Sequence, residues 1–183
     1  MESTMDNQSN LSFSINKDTT SSQASQFLRF VLLPDTNLMV SLSQIAAVLK
    51  IPFGKIVPVP DMPSWVMGVY NWRGEIVWMI DLGQLLGFTP WYEQSVTASN
   101  HKAVVIHPSN QNLKTLSTGE LVGLVVSDVQ DIEMCHTDNL HSPPASAITP
   151  ELAPFLRGYW IKDNGEIIVT VDGDSIFAAM PRE

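Results

Sequence analysis

The sequence predicts an all-β protein made of two related subdomains, and three observations carry this prediction. Short apolar runs follow one another from residue 27, and turns rich in proline, glycine and asparagine separate them. No long segment has apolar residues at the roughly 3.6-residue spacing of an amphipathic helix. A hairpin pattern occurs twice, at residues 66–86 and 156–177. Short strands with such turns are typical of β-sandwiches and β-barrels.

The composition argues against several classes of partner. The chain has 183 residues and 44% hydrophobic content, enough for one sizeable core or two small fused cores. Only 16% of the residues are charged, the net charge is −9, and the ten lysines and arginines are scattered singly. Binding to nucleic acid or to an anionic membrane surface needs clustered basic charge, so we expect neither.

The expected location of the protein is the cytoplasm. The single cysteine, Cys135, rules out a disulfide framework and fits a reducing compartment. The N-terminus lacks the basic and apolar regions of a secretory signal. No apolar run approaches the roughly 18 residues that a membrane span needs.

The first residues differ in composition from the rest. Residues 1–26 are mostly Ser, Thr, Asn and Gln, and their few apolar residues include Leu11, Phe13 and Ile15. Such a segment buries too little apolar surface to offset the entropy of ordering it. We therefore expect a disordered leader at residues 1–26 and a domain of two intertwined β subdomains at residues 27–180.

The first half of the domain predicts four strands, at residues 27–34, 38–42, 69–72 and 75–81. Residues 43–50 predict either a short helix that begins at Ser43 or an extension of the second strand. Pro63 is expected to open a one-turn helix that Gly68 ends. The third and fourth strands are joined tightly at Arg73-Gly74.

The second half predicts further strands, at residues 101–108, 120–134, 155–161 and 166–172. Residues 109–119 are polar and predict a mobile hairpin loop, and residues 141–154 form a proline-rich connector. The last two strands form a hairpin across residues 162–165, where Asn164-Gly165 is a strong turn signal.

The two hairpins align in register when one inserted residue is allowed. Gly68 matches Gly158, and Asp81 matches Asp172. The shared residues are expected to serve the fold, as glycines in turns and as aspartates that end a strand and cap a short helix. Arg73 has no counterpart, because the second hairpin has Asp163-Asn164 there. The arginine is therefore more a site feature than a fold feature.

Carboxylate chemistry is not favoured. Glu75 and Asp81 are six residues apart on one strand, about 20 Å, whereas a glycosidase pair needs about 5 to 9.5 Å. The stretch Met79–Gly83 is similar to an aspartic-protease strand, but Leu82 replaces the small hydroxyl residue and the second copy reads VDGD. A structural role is expected for these carboxylates.

Metal binding and nucleophilic catalysis are not favoured either. Cys135, His136 and His141 fall short of a zinc site, because they offer three ligands on one loop with no second cysteine pair. The sequence has no Gly-x-Ser-x-Gly elbow and no phosphate-cradling glycine loop. We expect no enzyme activity, no cofactor and no metal.

Aromatic residues are concentrated around the two hairpins. Most are expected in cores or between subdomains, and some could line an exposed apolar groove for a partner. The set comprises Trp65, Tyr70, Trp72, Trp78, Trp91, Tyr92, Tyr159 and Trp160.

The hairpin GVYNWRGEIV at residues 68–77, followed by Ile80-Asp81-Leu82, resembles the signature of the CheW family, the adaptor proteins of chemotaxis-type signalling arrays. The family usually has leucine where this chain has Trp72. The resemblance extends over about residues 26–180, with further matches at residues 27–30, 121–126, 142–144 and 156–158.

The resemblance implies two five-stranded SH3-like β-barrels packed around an apolar groove, with short connecting helices and no catalysis. It implies two partners, the regulatory domain of a CheA-type histidine kinase and the cytoplasmic tip of a chemoreceptor coiled coil. We assign receptor binding to Ile45, Val69, Trp72 and Arg73. We assign kinase binding to an apolar strand surface of the second barrel, at Val122, Leu124 and Val126.

Two departures from the family pattern bear on partner specificity. Ala47 stands where family members commonly have a glutamate that pairs with the hairpin arginine, so this arginine either lacks that partner or uses Glu75 or Asp61. Ser127 stands where an aspartate is common, with Asp128 next to it. The Trp-rich hairpin suits a pilus-motility branch of the family. A more remote alternative is a β-barrel that binds a small ligand, which an internal cavity with convergent polar groups would favour.

Overall fold

The computed structural model describes residues 24–95, 98–109, 121–143 and 148–181. Ten strands form two five-stranded sheets, which confirms the predicted all-β fold of two barrels. The strands are β1 (Ala24–Leu32), β2 (Thr36–Ser41), β3 (Ile45–Pro52), β4 (Val66–Trp72), β5 (Glu75–Asp81), β6 (Asn100–Ile106), β7 (Leu121–Val126), β8 (Asp128–His136), β9 (Leu156–Ile161) and β10 (Ile167–Val171). The α-helices described are α1 (Leu82–Leu85) and α2 (Gly173–Ala179).

The strands of the two sheets are arranged in the same way, but the chain begins each sheet at a different strand. Their strand orders are β3-β6-β7-β5-β4 and β8-β1-β2-β10-β9. In the first sheet β5 is parallel to β7, and in the second β10 is parallel to β2. We call the first sheet the inserted barrel, because its strands lie in sequence between β2 and β8. The second is the split barrel, and its strand order along the chain is a circular permutation of the inserted one.

Three apolar clusters hold the barrels together. Each barrel has a small core of its own, which includes Val77 and Val105 in the inserted barrel and Phe27 in the split barrel. The largest cluster, which we call the central core, takes side chains from both barrels, including Phe30 and Leu124, both fully buried. Strands that face both a barrel core and the central core are buried on both faces, and β7 accordingly reads LVGLVV without polar alternation.

The duplicated hairpins are confirmed as an architectural repeat. In each, the residue after the shared glycine forms a two-way backbone bridge to the segment that precedes the hairpin. Val69 pairs with Val57 at N···O distances of 2.8 and 2.9 Å, and Tyr159 pairs with His141 at 2.8 and 3.0 Å. These bridges bring each barrel's preceding segment against its hairpin.

The matching aspartates also do the same work in both barrels. The carboxylate of Asp81 accepts the backbone N–H of Gln84 at 3.1 Å at the start of α1. The carboxylate of Asp172 accepts the backbone N–H of Asp174 at 3.1 Å at the start of α2. Both are N-cap residues, as predicted.

Several local predictions are wrong. Residues 45–52 form β3 after a short 3-10 turn, so residues 43–50 form neither of the two predicted alternatives, a helix from Ser43 or an extension of the second strand. Pro63 opens a turn closed by the Val66 N–H, and β4 follows at once, so there is no helix there. β1 begins at Ala24, inside the predicted leader. The rest of the leader, and the predicted loop from residue 110 onward, lie outside the described residues.

Within the described ranges, no helix is long and apolar enough to cross a membrane.

An ion-pair network closes one end of the split barrel. Arg29 contacts the carboxylate of Glu166 and lies 3.4 Å from that of Glu133. Lys162 Nζ lies 2.7 Å from the same Glu133 oxygen, and Asn37 accepts from Arg29 at 3.0 Å. These side chains are mostly buried, with exposed fractions of 15 to 26% for the four charged ones. The network therefore links β1, β2 and β8 to the second hairpin.

Stability should depend on pH through Glu133. The hydrogen bond from Lys162, and then its charge, lowers the pKa of the Glu133 carboxyl below its usual 4.5. A carboxyl with a lowered folded-state pKa adds stability above its unfolded pKa and loses it as the pH falls through the folded one. In urea unfolding at pH 7 we expect Glu133→Gln to cost about 1.5 to 3 kcal/mol, the value of a charged hydrogen bond.

The same comparison at about pH 3, below the ordinary pKa of glutamate, should show a much smaller difference between Glu133→Gln and the wild type. Asp131→Asn is the matched control, since Asp131 is exposed on the same strand. It should change the free energy of unfolding by less than about 0.5 kcal/mol at either pH. A Glu133→Gln deficit that stays constant with pH would contradict the assignment.

Candidate docking site

The tip of the first hairpin is a two-residue turn. Trp72 pairs with Glu75 across the turn, and Arg73 and Gly74 have φ values of 54° and 90°. Two consecutive positive φ values define a type I′ turn, which matches the right-handed twist of the flanking strands. The Asn71 side chain supports it by accepting the Gly74 N–H at 3.0 Å.

Arg73 is held in a backbone conformation that arginine disfavours. The left-handed region costs a residue with a side chain about 1 to 2 kcal/mol, which is why Asn-Gly is the preferred pair in such turns. The second hairpin avoids this cost, because its extra residue gives a longer loop in which Gly165 takes the positive φ of 83°. A strained residue that the fold does not require points to a role in function.

The guanidinium of Arg73 is available to a partner. The residue is exposed, and its guanidinium carbon lies 5.4 Å from the ring centroid of Trp72, a cation–π distance. No carboxylate in the described part of the chain forms an ion pair with it, so Glu75 and Asp61 do not take the place of the missing glutamate. Ala47 instead packs against the core of the inserted barrel.

The other predicted receptor residues are only partly brought together. Trp72 packs against the core of the inserted barrel. Val69 lies on the opposite face of the same strand and pairs with Trp78. Ile45 lies on β3 at the opposite edge of the sheet order, pairs with Ile106, and packs on the central core. The hairpin therefore unites Val69, Trp72 and Arg73 in sequence, and Ile45 stands apart from it.

The predicted kinase surface is wrong. Val122, Leu124 and Val126 are 1%, 0% and 6% exposed, because β7 packs its side chains into the central core. β7 also belongs to the inserted barrel, the same barrel as Arg73, and not to a second one. These side chains cannot contact a partner while the barrels are packed together.

The split barrel exposes a different apolar surface. Ile161 and Ile167 pair directly across the second hairpin, and they are 45% and 55% exposed. A directly paired isoleucine couple beside the turn stabilises the hairpin, and its exposed apolar area is also available to a partner. Sequence reasoning missed it because both residues continue the apolar pattern of strands that elsewhere face a core.

A second surface lies on the inserted barrel, where Trp91 and Tyr92 belong to the predicted aromatic set and sequence reasoning missed Phe53 and His101. The ring of His101 lies 4.4 Å from that of Phe53 and 4.6 Å from that of Trp91, and Tyr92 meets Trp91 edge to face. Burial lowers the pKa of His101, which favours its neutral form. The exposed fractions of Phe53 and Tyr92 are 42% and 58%. These residues come from three separate segments, so no local sequence pattern connects them.

A groove of about 580 Å³ runs between the barrels. Apolar side chains, including Leu33, Phe53 and Trp91, line it together with polar ones. Two of the polar groups, Ser127 and Gln94, bond each other at 3.3 Å. This groove is open to solvent and is not an enclosed cavity, so it does not favour the small-ligand alternative.

Asp81 and Cys135, two of the residues considered for chemistry, are both buried. Burial raises the pKa of Asp81, against the lowering effect of backbone N–H bonds such as that from Trp91 at 2.8 Å. Cys135 is buried in the core of the split barrel, and burial raises the pKa of its thiol. Among the residues described, no group of three potential ligands is placed to hold a metal ion.

Two permuted five-stranded barrels packed on a shared core define this chain as a double SH3-like barrel protein. The model of the CheW-like domain matches residues 26–180, and the chain belongs to this family. The chemotaxis protein CheW of Rhizobium meliloti (strain 1021) is 28% identical over 126 residues, covering 69% of this chain and 72% of that protein. The crystal structure of the scaffolding protein TtCheW from Thermoanaerobacter tengcongensis superimposes with a TM-score of 0.65 at 19% identity, over 82% of this chain and 90% of that one.

Proposed function

We propose that this protein is a non-enzymatic adaptor that couples chemoreceptor tips to a CheA-type histidine kinase in the cytoplasm. Membership of the CheW-like family supports a role in chemotaxis-type signalling. The curated relative is named as a chemotaxis protein, and the solved structure as a scaffolding protein. Signalling through such an adaptor depends on geometry, because a receptor rearrangement reaches the kinase only while both contacts hold.

The observation that carries the proposal is the strained and exposed Arg73. Its guanidinium offers a planar fork of donors that matches a carboxylate or a pair of backbone carbonyls on a receptor helix. Trp72 holds the side chain by its ring, which reduces the freedom that binding would remove. The receptor contact therefore centres on the first hairpin, with Val69 beside it.

The kinase contact is assigned to the split barrel. Ile161 and Ile167 replace the buried β7 residues as its apolar centre, because they are exposed and adjacent. The Glu133–Lys162–Arg29 network fixes the same hairpin from inside the barrel, so the surface is held in place. A rigid apolar patch of this kind suits a contact of barrel against barrel.

A binding measurement with the cognate kinase's regulatory domain tests this contact. We expect Ile167→Glu to weaken binding at least about tenfold, since a charge placed at an apolar interface centre costs more than 1.4 kcal/mol. Val48→Glu is the matched control, because Val48 is 50% exposed on the inserted barrel. It should leave the affinity for the kinase domain within about twofold.

Absence of any binding at tens of micromolar by the wild-type protein would contradict the adaptor function itself. Equal weakening by Val48→Glu would instead move the kinase contact to the inserted barrel. The Trp-rich hairpin suggests a pilus-motility pathway as an alternative setting for the same two contacts. Deleting the gene and scoring swimming against twitching separates the two settings.

A further inference from the structure

The outer face of β8 is an apolar surface that neither proposed contact uses. Ile132 and Met134 lie on the same face of the strand and are 53% and 60% exposed, while Glu133 and Cys135 point the other way into the split barrel. In the described sheets, β8 is hydrogen-bonded in a ladder on one side only, to β1. An edge strand with two exposed apolar side chains is a template for an added segment.

The N-terminal segment joins the described part of the chain at Ala24, beside this face. β1 begins at Ala24, which pairs with His136, and Gln26 pairs with Met134. Met134 is therefore about two strand residues and one strand spacing from Ala24, on the order of 10 Å. The chain between Ile15 and Ala24 extends up to about 30 Å, so residues just before Ile15 can reach the face.

The sequence of that segment fits the face in pattern and in charge. Leu11, Phe13 and Ile15 alternate with Ser12 and Ser14, which places three apolar side chains on one side of an extended segment. Residues 7–17 contain no Asp or Glu, although the chain as a whole has a net charge of −9. A segment without carboxylates can cover the apolar pair Ile132 and Met134 without burying a negative charge.

We propose that the segment around Leu11, Phe13 and Ile15 binds in cis to the outer face of β8, over Ile132 and Met134. Its apolar side chains pack beside Ile132 and Met134 as cross-strand neighbours. The unpaired edge of β8 offers backbone groups for hydrogen bonds. The leader then covers an apolar surface that would otherwise be free to associate. This inference goes beyond the adaptor function and does not depend on it.

Methionine oxidation of the full chain tests the contact. Limited hydrogen peroxide treatment, followed by peptide mass spectrometry, reports the oxidation rate at Met134, with the half-buried Met62 of the inserted barrel as reference. A tethered segment has an effective concentration on the order of 1 mM. If the segment binds β8 with a dissociation constant on the order of 1 mM, it covers the face about half of the time. We expect Met134 to oxidise about twofold faster when Leu11, Phe13 and Ile15 are all replaced by Ser.

Matched controls distinguish the occupants. Replacing Ser12 and Ser14 by Ala should leave the Met134 rate unchanged, and a peptide of residues 9–17 added at millimolar concentration should restore protection to the triple variant. Equal rates in the wild type and the triple variant overturn the proposal. Protection that rises with protein concentration would show a second copy on β8, and this also overturns it. Neither receptor nor kinase is present, so the outcome is independent of the adaptor function.

Discussion

Arg73→Glu should strongly weaken receptor coupling while leaving the protein folded. Reversing the charge of a residue that forms a desolvated pair costs about 2 to 5 kcal/mol, so the dissociation constant for a cognate chemoreceptor tip fragment should rise at least about thirtyfold. The free energy of unfolding should stay within about 1 kcal/mol of the wild type, because the described residues give Arg73 no ion pair to lose. Calorimetric titration and urea unfolding measure the two quantities.

Two variants separate docking from strain. Arg73→Asn keeps the turn and suits its backbone, so it should stabilise the protein by up to about 1 kcal/mol and still lose receptor binding. Lys55→Glu makes the same change of charge at an exposed position of the inserted barrel and should leave the affinity within about threefold. An unfolded Arg73→Glu protein would identify the arginine as a structural residue, and normal binding by it would remove it from the receptor site.

The repeated hairpin could be predicted because its signals are local. Turn glycines, capping aspartates and alternating apolar residues each act within a few neighbours, so a register match between Gly68 and Gly158 carries structural meaning. The topology could not be predicted in the same way. The strand order of the split barrel joins β2 to β10, and that pairing depends on contacts between residues far apart in sequence.

The two barrels also keep the same side-chain volume at one pair of matching core positions. The sequence of one barrel alone does not reveal this. In the inserted barrel Met79 lies over Gly123, where an added Cβ would meet the Met79 sulfur at 2.6 Å. In the split barrel the small residue is Thr170 and the large one is Met39, which pair at the matching position. The large and small partners have changed places, so the volume is kept while the residues at each position differ.

In the candidate site, too, some residues could be predicted from the sequence and others could not. Arg73 could be identified because it breaks the repeat, and its strained backbone gives that difference a physical reason. The kinase assignment to β7 was wrong because an unbroken apolar run cannot distinguish an exposed surface from a strand buried on both faces. The exposed pair Ile161 and Ile167 shows the reverse case, since its strand pattern resembles that of a core strand.

Gly68→Ala should be the most destabilising single substitution considered for this protein. A Cβ at Gly68 would lie 2.1 Å from the backbone oxygen of Val57, and the residue has a φ of 136°. Backbone cannot give way as a side chain can, so the two hydrogen bonds between Val57 and Val69 should break. Overpacking, backbone strain and the lost bonds together amount to about 3 to 6 kcal/mol.

The repeat supplies the matched control at Gly158. An added Cβ there would lie 3.1 Å from the backbone oxygen of His141, a tight contact that a small shift relieves. Gly158→Ala should therefore cost about 1 kcal/mol. Urea unfolding of both variants measures the contrast, and equal losses would show that the two bridges close their barrels equally. The bridge at Val57 positions the hairpin that bears Arg73, so Gly68→Ala should also lower receptor affinity, whereas Gly158→Ala should not.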